Sequence, residues 1–308
     1  MLKHTMTYLP AIGLMLLFCM TLPLGDSLVR ILTTEGVPVP QVIFLRSVII
    51  ISVLGPIVGT IHGFKVEKKL WWIYAVRSLC FFMAVFAWLS VLDKVQLPQL
   101  YSVGFLAPIF AAIISVIVLK EQLTAPRVWG ILGGFAGALI VLRPGTMDAN
   151  PYLWVGVFCA FNWAISMVVS KYLTASQAQT KMTFFLSSSF IALTAPFALS
   201  SWVSLSLSQW GIILFLGLLV LSSHLLVLSA YKRAPLTVLT PIEFTSLLFS
   251  SSFGWLFFKE SMDFITLLGG LIIFASASIS TIFGNKSLKG PQINTVNSNE
   301  QNDTITEH

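Results

Sequence analysis

Charge is what this chain has least of. Of 308 residues, 10% are Asp, Glu, Lys or Arg and 56% are hydrophobic, against roughly 25% and 45–50% in soluble domains. No water-soluble fold covers that much apolar surface, so the class is membrane-embedded. Cysteine is also scarce. Cys19, Cys80 and Cys159 each sit inside an apolar run with no short ligand spacing, which excludes a disulfide framework or a zinc knot and leaves small packing residues. The chain has no Gly-x-x-x-x-Gly-Lys-Ser/Thr loop and no His-Glu-x-x-His pair, so neither ATP drive from this chain nor zinc-peptidase chemistry is expected. No metal and no cofactor is called for. The net charge of +6 comes from Lys and Arg scattered singly or in small groups between apolar runs. A nucleic-acid surface needs them gathered into one patch, so no nucleic-acid partner is expected.

What the chain does have is long apolar runs. They fall at Leu9 to Leu32, Val39 to Ile61, Leu70 to Val91, Gln96 to Leu119, Arg127 to Leu142, Tyr152 to Leu173, Met182 to Trp202, Trp210 to Ala230, Val238 to Phe258 and Phe264 to Phe283. Most are close to the roughly 20 residues a membrane helix needs and well beyond the roughly ten alternating residues of a barrel strand. Helices are also demanded by backbone hydrogen bonding, which must close within each segment in lipid. The first run, preceded by Lys3 and His4, is longer than a signal-peptide core and lacks a clear cleavage site, so it reads as a retained span. With ten spans and an inner N-terminus, the inner loops receive Lys3, Lys65, Lys68, Lys69, Lys120, Arg127, Lys171, Lys181, Lys232, Arg233, Lys286 and Lys289. The outer loops receive Lys94, Arg143 and Lys259. That asymmetry places both termini in the cytoplasm and the chain in a cytoplasmic (inner) membrane. The polar stretch 286–308 has little to bury and reads as a disordered tail.

The chain also repeats itself at an offset of 139 residues. Lys120-Glu121 recurs as Lys259-Glu260, Gly130 as Gly269, Phe135-Ala136 as Phe274-Ala275, Ala138 as Ala277 and Ile140 as Ile279. Residues 1–145 and 146–285 then form two units of five spans each. An odd number forces the halves to cross the membrane in opposite senses, the inverted-repeat plan of many transporters. The run Gly130, Gly133, Gly134, Gly137 places small residues four apart and predicts a close helix–helix face.

Ionisable groups inside spans cost about 2.5–3.5 kcal/mol each on insertion scales, so they mark a partner or a watery cavity. Asp26, Arg30, Arg46, Arg77, His224 and Glu243 are such groups. Asp26 and Arg30 are four apart and can pair on one helical face. Depth arithmetic predicts an outer cluster of Asp26 with Arg46, and an inner cluster of Arg77, His224 and Glu243 drawn from both halves. Arg30, nearest the interface, is a structural ion-pair candidate; the others are substrate or coupling candidates. Glu243 is the sharpest, because Pro241, two residues before it, weakens its helix; neutralisation by Arg77 is its bland alternative. Asn162, Tyr101 and Trp88 could add hydrogen bonds or a stacking surface.

On these residues the chain resembles the EamA-type transporters of the drug/metabolite transporter superfamily. The likeness covers roughly residues 9 to 285 through the spans, the two Lys-Glu turns followed by glycine, and the proline-bearing fourth and ninth spans. It is most similar to the S-adenosylmethionine and related metabolite carriers, through Asp26 with Arg30, Phe44-Leu-Arg46, Arg77-Ser-Leu and Pro241-Ile-Glu-Phe244. That branch often has a basic residue where Glu243 stands, and an acidic one suits a cationic or zwitterionic cargo. The resemblance implies a ten-helix carrier whose central cavity is lined by the first, third, fourth, sixth, eighth and ninth spans, with the fifth and tenth peripheral. The expected function is secondary transport of a small polar metabolite, such as S-adenosylmethionine or an amino acid, by alternating access, with the lipid bilayer as the other partner. A vitamin or drug exporter and a membrane-embedded enzyme are the alternatives, and a homodimer stays open. No catalytic constellation supports the enzyme.

Overall fold

The computed structural model describes residues 9–118, 125–142, 150–174, 176–233, 242–243, 245–260 and 263–284. The Lys120-Glu121 turn, Arg143, Pro241, Phe244 and the tail 286–308 lie outside them. Among the described residues every regular element is a helix. In order, the elements are α1 Leu9–Thr34, α2 Val39–Ile57 with a π-helical extension Val58–His62, α3 Lys68–Leu89, α4 Leu97–Gly104 and α5 Ala107–Val118. There follow α6 Ala125–Leu142, α7 Leu153–Thr174, α8 Gln179–Ser200, α9 Leu207–Arg233, α10 Thr245–Phe258 and α11 Phe264–Gly284. Six segments are long and apolar enough to cross a membrane: Leu9–Thr34, Val39–His62, Lys68–Leu89, Leu153–Thr174, Gln179–Ser200 and Leu207–Arg233. Shorter apolar helices occupy the regions of the other four expected spans.

The expected fourth span is not one helix. Pro108 has no N–H to offer Gly104, so the α-helical ladder stops there. Instead Leu106 N–H reaches back only three residues, to Val103 O at 3.0 Å, and the helix resumes as α5. A Cβ on Gly104 would come within 3.1 Å of the Trp88 ring, so the break sits where the backbone passes close to an indole.

The most extensive helix contacts join α6 to α11, α2 to α8, α1 to α9 and α3 to α7. Each pair combines one helix from the first half of the chain with one from the second. The α6–α11 contact rests on small residues: a Cβ on Gly137 would lie 2.8 Å from Gly269 O, and one on Gly269 would lie 2.6 Å from Val141 Cγ2. The close face expected of the glycine run is therefore made, with Gly133 against Ser276 and Gly134 against Ile109 of α5. The α1–α9 contact is instead polar at its centre, where Ser223 Oγ donates to Thr21 Oγ1 at 2.7 Å.

Two ends of the bundle are fixed by cross-chain bonds. At one end Asn150 Nδ2 donates to Lys94 O at 2.9 Å and Gln41 pairs with the Val203 backbone in both directions at 2.9 and 3.0 Å. At the other, Lys181 Nζ donates to Lys65 O at 2.5 Å and Tyr74 OH to Gln177 Oε1 at 3.3 Å.

Candidate functional site

A cavity of about 210 Å³ runs through the middle of the bundle. It is walled by α1, α3, α4, α7 and α9, by Arg46 of α2, by Ala107 at the start of α5 and by Glu243 and Ser246 at the start of the ninth apolar run. Asp26, Arg46, Arg77, Trp88, Tyr101, His224 and Glu243 all line it. The two separate clusters expected from depth are therefore one continuous site, because α1, α3 and α9 all run past the same space. The second span contributes Arg46, beyond the lining spans that were expected, while α6 and α11 supply no lining residue among the described ones.

Asp26 is held by neutral donors. Tyr101 OH donates to its Oδ2 at 2.7 Å and Trp88 Nε1 donates to the same oxygen at 2.8 Å. The two rings meet edge to face at 5.3 Å, which fixes both donors. The break after Gly104 carries Tyr101 to this position at the end of a short helix.

Arg77 is buried and equally without a carboxylate. Its Nε donates to Ser170 Oγ at 2.7 Å and its Nη1 to Met182 O at 3.1 Å, tying α3 to α7 and α8. Arg77 does not neutralise Glu243; the partner of Glu243 is Tyr231, whose OH donates to Oε1 at 3.4 Å. Arg46, 7% exposed, has no hydrogen-bond partner among the described residues. None of Asp26, Arg46, Arg77 and Glu243 forms an ion pair with another described residue.

His224 Nδ1 meets Val220 O, one turn back on its own helix, at 2.8 Å. A carbonyl only accepts, so Nδ1 carries a proton; Nε2 is buried with no partner among the described residues. The imidazole lies edge-on to Phe81 at 5.7 Å, and Phe81 packs on Trp163 at 5.0 Å, giving this side of the cavity an aromatic wall.

Two expectations are corrected. Asn162 does not reach the cavity; it is turned away on α7, where its Nδ2 donates to Phe158 O at 3.0 Å, and Trp163 next to it lines the cavity instead. Arg30 does not pair with Asp26, which Trp88 and Tyr101 already hold. Its Nη1 donates to Glu260 Oε1 at 2.5 Å. Sequence reasoning missed Tyr231, Ser170 and Trp163. Tyr231 was within reach of the depth arithmetic that placed Glu243, since both fall at the same end of adjoining spans.

The sequence model of the EamA-like transporter family matches this chain twice, at residues 9–143 and 150–282. The chain belongs to the EamA-like transporter family. It is a multi-pass membrane protein and a small-molecule transporter. Among curated relatives, an S-adenosylmethionine uptake transporter of Rickettsia prowazekii is 24% identical over 280 residues, covering 91% of this chain and 95% of the relative. A pseudopaline exporter of Pseudomonas aeruginosa is 23% identical over 201 residues, 65% of this chain and 68% of the relative. A riboflavin transporter of Brucella anthropi is 23% identical over 257 residues, 80% of this chain and 89% of the relative. A solved crystal structure superimposes with a TM-score of 0.61 at 18% identity, covering 92% of this chain and 99% of the other, a likeness of fold alone.

Proposed function

We propose that the chain is a secondary carrier of a small zwitterionic or cationic metabolite, working by alternating access around this cavity. The carrying observation is that its carboxylates and guanidiniums share one cavity without pairing. Opposite charges brought together in a low-dielectric space neutralise one another and leave little field for a ligand. Here Asp26 is held by Trp88 and Tyr101, Glu243 by Tyr231 and Arg77 by Ser170 and Met182, all neutral partners. The carboxylates are thereby kept for an ammonium or sulfonium group and Arg46 for a carboxylate. The Phe81–Trp163 wall suits a flat ring on the same molecule.

Alternating access follows from a duplicated chain. The 139-residue repeat, the double match to one family model and the pairing of helices across the halves support two inverted units of five spans, residues 1–145 and 146–285. Exchanging each span for the one five further along turns the α1–α9 contact into the α7–α3 contact, as a two-fold axis in the membrane plane requires. Two exchanged arrangements of the halves then open one cavity to opposite faces. With the basic loops inside, both termini are cytoplasmic.

The test is counterflow into proteoliposomes of a labelled panel containing S-adenosylmethionine, lysine, glutamate and riboflavin, with and without a proton gradient. Exchange of the zwitterionic or cationic members is expected. Exchange of riboflavin alone would transfer the reading to an uncharged cargo, and exchange of none would remove it.

A further inference from the structure

Glu260 holds three parts of the bundle at once. Its Oε1 accepts from Arg30 Nη1 at 2.5 Å, and its Oε2 accepts the N–H of Leu97 at 3.0 Å, a first-turn amide of α4 that has no acceptor within its own helix. The Arg30 guanidinium lies 4.2 Å from the centre of the Phe258 ring, a cation–π contact that holds it in place. The two charged side chains are only 14% and 8% exposed.

The local backbone is shaped for this contact. Lys259 takes φ 58, the left-handed conformation that ends α10 and turns Glu260 back under the bundle, where glycine is the usual residue. Gly254 provides the space, since a Cβ there would lie 2.9 Å from Glu260 Oε2. Arg30 stands one turn beyond Asp26 on α1, about 6 Å along the axis. Neither Arg30 nor Glu260 lines the cavity. The pair therefore sits between the cavity and one end of the bundle, joining α1 and α4 of the first half to the end of α10 in the second. At the opposite end the halves meet through carbonyls and amides, Lys181 on Lys65 O and Tyr74 on Gln177.

We propose that the Arg30–Glu260 pair is a latch that holds this end of the cavity shut and must break and re-form in each transport cycle. A mostly buried ion pair has two good states. The charges are either paired, or separated and fully hydrated; an intermediate leaves an uncompensated buried charge. Such an element is bistable, as a gate must be. The latch rests on the carrier reading.

The native cysteines supply the test. Cys159 lines the cavity, is 2% exposed, and stands about 9 Å into α7 from the latch end. A charged, membrane-impermeant methanethiosulfonate is applied separately to right-side-out and inverted vesicles, and labelled peptides are located by mass spectrometry. Counterflow is measured in the same preparations. Glu260→Gln is expected to raise the Cys159 labelling rate at least about fivefold from one face only, with Arg30→Lys within twofold of the native rate. If Glu260→Gln does not accumulate folded, Arg30→Gln carries the same expectation, because it leaves the Leu97 amide on Glu260. Native vesicles that exchange solute while both variants label at the native rate from both faces would overturn the latch alone. Native vesicles that exchange no solute would overturn the carrier reading and the latch with it.

Discussion

The cavity and the α6–α11 face are built on opposite principles. In the cavity, charged side chains are kept apart by hydroxyls, an indole and a backbone carbonyl. At the α6–α11 face, glycines bring two backbones together, and the atoms nearest them are backbone, Val, Ile and Ser. The first region is organised by chemistry and tolerates empty volume. The second is organised by volume and carries no chemistry. Substitutions should therefore separate cleanly into those that change transport at constant stability and those that do the reverse.

The largest effect is expected from Glu243→Gln. The amide keeps the shape and still accepts from Tyr231, so the fold is retained while the charge facing the cargo is lost. At about 1.5–3 kcal/mol for a charged hydrogen bond, transport should fall about 10- to 100-fold, and further than in Asn162→Ala. Equal residual counterflow in the two variants would remove the reason for singling out Glu243. Tyr101→Phe, next in size, leaves Asp26 with Trp88 as its sole donor and should lower transport by about tenfold, read as initial counterflow rate per folded molecule. A fall in melting temperature with unchanged rate would show the Tyr101 contact to be structural.

Gly137→Val should do the opposite. A side chain there meets Gly269 O at 2.8 Å and Ile273 Cγ1 at 2.7 Å, neither on a flexible tip. Overpacking of this kind costs about 1–3 kcal/mol, visible as a lower melting temperature in detergent while the relative rates among solutes are unchanged. A changed solute preference would break the division between the two regions. The smallest effect is expected from Asn162→Ala, because its amide bonds only its own helix at Phe158 O. Both counterflow and melting should match the native protein.

Much of this was legible in the sequence because lipid removes alternatives. A charge within an apolar run has few places to go, and that logic found Asp26, Arg46, Arg77 and Glu243 without coordinates. It could not tell one cavity from two clusters, since depth along a helix carries no information about which faces turn towards each other. It failed at Asn162, where a polar group satisfied by its own helix carbonyl looks the same in sequence as one facing a cargo. It also misassigned the partner of Arg30. The nearest carboxylate in sequence, Asp26, was already held by two aromatic donors, and the actual partner was visible only as half of a repeated Lys-Glu pair. The break at Gly104 was foreshadowed by Pro108, but the positioning of Tyr101 that results from it depends on tertiary packing.

Counterflow of matched solutes with and without a charged head tests the separated-charge reading most directly. S-adenosylmethionine can be set against methylthioadenosine, and lysine against its uncharged analogues of similar size, in proteoliposomes of the native protein and of Arg46→Gln. The prediction is exchange at least about tenfold faster for the charged member of a pair in the native protein, with that preference reduced in Arg46→Gln. Equal exchange of both members, or a preference for the uncharged one, would contradict it.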